Sequence, residues 1–225
     1  MNSYLSMVFL AGSLFAAVPV SSQAAPIYDF TSAPIFFGDN PVTVGFLFTT
    51  NTTILIDALG FYDDNQNGLQ TSHEVGIFDL NGTLLTSATI QSGSAGMLDG
   101  KFRYTAISPF TLNSGQSFVI AGETNGLDGY TYGKVGTSIL GLSMNPAINI
   151  SQNASRYHYG QSLAYPTDYF RYDLYPMVNF NVATASVPSP ATLPLLGIGL
   201  AIMGVALRRQ ISQCSIVHRG NGTVA

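Results

Sequence analysis

Between Pro26 and Val182 the chain carries no long helical period. Short apolar runs recur instead, rich in β-branched and aromatic residues and cut by Gly, Asn, Asp or Pro. Runs of this length bounded by turn formers fit half-buried strands, whereas an amphipathic helix needs apolar residues at i, i+3, i+4 and i+7. The spacing predicts strands at 42–50, 54–62, 75–80, 84–90, 101–108, 117–123, 147–150, 156–159 and 176–182. Asn81-Gly82 falls between two of them and predicts a type I′ hairpin, a turn that requires positive φ at both central residues. Gly115 similarly separates 110–112 from 117–120. About nine short strands at such spacing predict an all-β domain, a sandwich or a jelly roll.

The predicted domain runs from 25 to 182. At roughly 160 residues it can bury a core without metal or disulfide staples. Charged residues make up 9% of the chain, but 46% is hydrophobic and 12% aromatic, which excludes disorder. Between 25 and 185, five basic residues face all twelve carboxylates, a net charge of −7. An acidic domain without a basic patch excludes nucleic acid as a partner. The one cysteine, Cys214, lies beyond the domain, so no disulfide staples it.

Both ends read as targeting segments. Residues 1–24 have the form of a signal peptide, with an apolar stretch from Leu5 to Val18 and a small-residue site, Ser22-Gln23-Ala24. Cleavage is expected after Ala24. At the other end, 191–207 is a 17-residue run without charge, followed by Arg208 and Arg209. As a helix it would span about 25 Å, close to the ~30 Å of a bilayer's hydrocarbon core. The basic pair predicts that the tail end faces the cytoplasm and the β domain lies outside. The segments are then a signal peptide (1–24), a β domain (25–182), a linker (183–190), a transmembrane helix with a basic stop (191–209) and a cytoplasmic extension (210–225).

Val187-Pro188-Ser189-Pro190, the Gly-rich apolar run and Arg208-Arg209 together resemble the PEP-CTERM sorting signal of Gram-negative bacteria, with Ser189 where that motif carries Glu. The resemblance implies an exported precursor in the inner membrane. An exosortase-type protease processes it for the cell surface or extracellular matrix, in association with exopolysaccharide. Ala58-Leu59-Gly60-Phe61, the acidic loop after it, Val75-Gly76-Ile77-Phe78-Asp79, Gly82-Thr83-Leu84-Leu85 and Phe102-Arg103-Tyr104 resemble an uncharacterised β-sandwich domain of PEP-CTERM proteins. That second resemblance spans about residues 42 to 123 and implies a fold and a location but no activity.

Catalytic signatures do not assemble. His73-Glu74 lacks the second His of a zinc-protease motif, and Gly93-Ser94-Ala95-Gly96 lacks nucleophile-elbow spacing. Gly133-Lys134 is followed by Val135, with Asp128 where a phosphate loop needs Gly. The expected function is therefore a non-catalytic binding or structural module. The alternative is a secreted glycan-acting hydrolase, whose carboxylate pair one sequence cannot select.

Two constellations are candidate sites. Tyr157, Tyr159, Tyr165, Tyr169 and Tyr172 crowd a short segment, and exposed phenol rings can stack on sugars and hydrogen-bond their hydroxyls. The competing reading is that alternate rings fill the core. The second constellation is 63–74, which matches a calcium-loop pattern. Asp63, Asn65 and Asn67 offer alternating oxygens, Leu69 its carbonyl and Glu74 a closing carboxylate. Calcium would bind at about 10⁻⁴–10⁻³ M, as in extracellular modules. The competing reading is a polar turn between strands, because Asp and Asn favour turns. No other cofactor is expected.

Overall fold

Along Val42–Thr50 the side chains of Val44, Phe46 and Phe48 enter the main core, while Leu47 joins a smaller cluster with Phe78, Val119 and Ala121. Successive side chains of a strand point to opposite faces. A strand with apolar residues at both parities is therefore covered on both sides. The computed structural model describes residues 24–38, 41–151, 153–170 and 174–183, all within a compact unit, Gln23–Thr184. The sorting motif, Val187 to Pro190 with Arg208 and Arg209, lies outside the described residues, as do the predicted signal peptide and membrane helix.

The described chain is all-β, with no helix among the described residues. Its strands are β1 (Ala25–Pro26), β2 (Tyr28–Asp29), β3 (Val42–Thr50), β4 (Ile54–Tyr62), β5 (His73–Phe78), β6 (Leu84–Ile90) and β7 (Met97–Asp99). They continue with β8 (Phe102–Leu112), β9 (Ser117–Thr124), β10 (Ser143–Met144), β11 (Ile148–Asn149), β12 (Ser155–Tyr159) and β13 (Val178–Val182). One sheet has the order β1-β13-β4-β8-β7, the other β11-β3-β9-β5-β6, with β12 also on β3. A short ladder joins β2 to β10. The two larger sheets face each other as a sandwich. Gly122 marks their close approach, since a Cβ there would lie 2.6 Å from Val178 Cγ1 and 3.2 Å from the Phe61 ring.

Each of the nine expected strands has a counterpart. The strand expected at 75–80 instead spans His73–Phe78, and the turn beyond it is not type I′. Gly82 has φ +86°, but Asn81 is not among the positive-φ residues. Asp79 is the reason. Its Oδ1 accepts the backbone N–H groups of Asn81 at 2.9 Å and Thr83 at 2.8 Å, ending the strand two residues early. Gly82 N–H closes the turn onto Asp79 O at 3.1 Å. A turn followed by a single left-handed Gly is the three-residue form of hairpin loop. The hydrogen bonds from Thr83 and Asn81 also hold the Asp79 carboxyl below its ordinary pKa, outweighing the opposing effect of desolvation.

The strands that sequence spacing did not reveal are β1, β2, β7 and β10, each of two or three residues. β1 pairs Ala25 with Val182 and Pro26 with Asn181. Both ends of the described domain therefore lie on one sheet edge.

Candidate functional site

Polar side chains at one end of the sandwich tie loops to strands. Asp63 directly follows β4 and is buried, with 1% of its surface exposed. Its Oδ2 accepts Arg103 Nε at 2.6 Å and Gly68 N at 3.0 Å. The Arg103 guanidinium also donates to the carbonyls of Ser94, Gly96 and Gln66 at 3.2–3.3 Å. Nearby, the buried His73 ring stacks on Phe61, centroids 3.9 Å apart. Its Nδ1 lies 2.9 Å from Glu123 O and its Nε2 2.9 Å from Asp128 Oδ2. Asp128 also accepts the N–H groups of Gln70 and Thr71 at 2.8 and 3.0 Å.

The residues of the calcium reading of 63–74 have other partners or stand apart from one another. The loop's one buried carboxylate already has its cation, the Arg103 guanidinium. The Leu69 carbonyl accepts Gly93 N–H at 2.7 Å. Asn65 and Asn67 are exposed, and Glu74 stands on β5 opposite Thr89. Among the described residues no three His, Cys, Asp or Glu side chains converge as a metal site. Turn chemistry accounts for the composition: Gly68 has φ +106° and Gln66 φ +57°. Millimolar calcium, compared with chelator, is therefore expected to leave the thermal midpoint of the full chain unchanged. A rise that disappears in an Asp63→Ala, Glu74→Ala variant would restore the calcium site.

The tyrosine-rich segment is divided rather than gathered. β12 lies on the edge of its sheet, pairing with β3 from Ser155↔Phe46 to Tyr159↔Val42. Its free side is extended by Asp168, which bridges Tyr157. Tyr157 and Tyr159 share one face of this edge, with ring centroids 5.7 Å apart. Phe170 stacks on Tyr157 at 4.7 Å and 12°. Tyr169 falls on the opposite face, 5.8 Å from the Arg156 guanidinium, which donates to the carbonyls of Asn153, Ala154 and Ser155. Tyr165 lies with the smaller apolar cluster, edge-on to Phe78 at 5.8 Å. Tyr172 is outside the described residues. The alternation of the pleat produces this split, because neighbours in sequence leave a strand on opposite faces.

What sequence reading missed is how far the ring contacts extend. Phe170 meets Tyr175, Tyr175 meets Tyr132, and Tyr132 stacks on Phe36 at 4.5 Å, with Tyr130 alongside. Three distant segments therefore contribute to one aromatic run. For its Tyr130 and Tyr132 part, the period-two spacing was the only sequence signal. The exposed end is Phe170 (43%) and Tyr159 (65%). A separate cleft of about 560 Å³ is walled by Val135, Leu142, Met144, Ile150, Ala154 and Leu174, and none of its described lining residues is a carboxylate.

No curated protein matches the chain. Residues 31–176 match the model of a domain of unknown function, DUF4082, so that well over half of the chain is covered and the chain belongs to that family.

Proposed function

We propose that this is an exported cell-surface or matrix protein whose β-sandwich is a non-catalytic module for binding polysaccharide. The observation that carries the reading is the pair of exposed rings, Phe170 and Tyr159, set on either side of the half-buried Tyr157 on the edge formed by β12. Flat aromatic faces cover the apolar faces of sugar rings, and the phenol groups serve the hydroxyls. An edge position leaves the row open to a long polymer. The export half of the proposal rests on the signal-like 1–24 and on the Val187–Pro190, apolar-run and Arg208-Arg209 succession. Processing by an exosortase-type protease and passage through the membrane by 191–207 belong to the same proposal. In its favour, Ala25, the expected first residue of the mature chain, is paired in the sandwich, with Val182.

A polysaccharide pulldown with the full chain tests the binding half. Tyr159→Ala is expected to weaken retention about tenfold, equivalent to ~1.4 kcal/mol of stacking. The melting temperature should stay unchanged, because the ring is 65% exposed. Tyr169→Ala, on the opposite face, is expected to leave retention intact. Equal retention by the parent and Tyr159→Ala would remove the row from any binding role.

A further inference from the structure

We propose that the glycan held on this edge carries protonated amino groups, and that the Asp168 carboxylate is placed among the rings to receive them; this rests on the polysaccharide reading above. The backbone fixes the position of the carboxylate. Tyr157 N–H donates to Asp168 O at 2.9 Å and Asp168 N–H to Tyr157 O at 3.1 Å. Two residues that exchange both bonds are directly opposed, and their side chains leave the ladder on the same face. Tyr159 and Phe170 occupy that face as well, Tyr159 on the cross-strand diagonal to Asp168 and Phe170 two residues along the same segment, each roughly 5–8 Å away by strand geometry. An exposed carboxylate thus leaves the ladder on the face that carries Tyr157, Tyr159 and Phe170. Among the described residues no cation is paired with it, the two ion pairs being His73–Asp128 and Arg103–Asp63. Arg156 is turned to the other face, onto Tyr169 and three carbonyls.

Charge then discriminates between glycans. Aromatic faces attract cations through the ring quadrupole, and a carboxylate adds a full charge. An amino sugar supplies both a ring to stack and an ammonium to pair. A neutral glycan makes no use of the charge at Asp168. A polyuronate meets repulsion from it and from the domain's net −7. A basic peptide would satisfy the carboxylate but offers no flat ring to the exposed faces of Tyr159 and Phe170.

The test is calorimetric titration of the full chain in neutral detergent at about pH 6, using hexaglucosamine, its fully N-acetylated counterpart and cellohexaose. Hexaglucosamine is expected to bind about three- to tenfold tighter than the other two, the range that an exposed ion pair and cation–π contacts provide. Asp168→Asn should abolish that advantage with an unchanged melting temperature, and added salt should shrink it. Equal affinity for the three oligomers, or an advantage that survives Asp168→Asn, overturns the amine proposal and leaves polysaccharide binding standing. Hexalysine binding as tightly as hexaglucosamine overturns it in favour of a basic peptide. If none of the three sugars binds, the polysaccharide reading falls with it.

Discussion

Replacing Arg103 by Met is expected to cost the sandwich about 3–5 kcal/mol, because it strands the carboxylate of Asp63 in a buried site. Both partners are nearly inaccessible, Arg103 at 4% and Asp63 at 1%. Asp63 Oδ2 would keep only the N–H of Gly68, and its Oδ1 has no partner even in the parent. Three carbonyls, of Gln66, Ser94 and Gly96, lose their donor in the same step. At about 2–4 °C per kcal/mol for a domain of this size, the melting point should fall by on the order of 10 °C. Asp63→Asn alone should also be costly, because it leaves the guanidinium buried without its counter-charge. The double variant Asp63→Asn, Arg103→Met is the decisive measurement. It removes both charges, so it should be less destabilised than the two single losses combined. Strict additivity in that cycle would show that the two side chains do not act as a pair.

The same residues show what a sequence can and cannot display. Val44, Phe46 and Phe48 on β3, like Val75 and Ile77 on β5, announce a strand because burial repeats with the pleat. Those runs brought every long strand into view, including both edges of β3, β4 and β6. The two-residue strands β1, β2 and β10 hold no full period, so nothing local could reveal them. The loop at 63–68 was visible as a turn, but its partner was not. Arg103 lies forty positions away and reaches Asp63 only because β4 and β8 pair Phe61 with Arg103. Without that register, two Asp and two Asn around a Gly read equally well as a cation loop.

The aromatic site was legible in outline for a similar reason. Density of tyrosine drew attention to 157–172, but density carries no face. Register does: Tyr157 opposes Asp168, which sends Tyr169 to the far side and brings Phe170 beneath Tyr157. Tyr165 left the group because its ring serves Phe78 and its hydroxyl lies 3.5 Å from Leu80 O. The carboxylate beside the rings was present in the sequence all along. Its meaning depended on a pairing between residues eleven apart, across a loop whose path no periodicity encodes.

Acid is expected to unfasten the His73–Asp128 pair, and the sign follows from the carboxyl's surroundings. Burial alone pushes Asp128 up. The hydrogen bonds from His73, Gln70 N–H and Thr71 N–H, with the charge on His73, outweigh it and hold the group below its ordinary value. A carboxyl depressed in the folded state contributes stability that is complete above its unfolded pKa, about 3.9, and disappears as pH falls through the lower folded value. The parent should therefore lose stability on acidification below about pH 4. Two other carboxyls face the ring's surroundings. Glu123 is raised, mainly by burial and only partly offset by His73, so protonating it opposes the loss at higher pH; Glu74 lies beside it. Asp128→Ala separates these contributions. It orphans one ring nitrogen of the buried His73, at about 1–3 kcal/mol, and takes the acceptor from the N–H groups of Gln70 and Thr71, which stand nearer to solvent. At neutral pH the variant should thus be less stable by about 1–3 kcal/mol. Between pH 4 and 2 its stability should fall less steeply than the parent's, since the titrating group is gone. Denaturant midpoints of the two proteins across that range decide the matter. Parallel acid profiles would mean that Asp128 is held by packing alone and its charge contributes nothing.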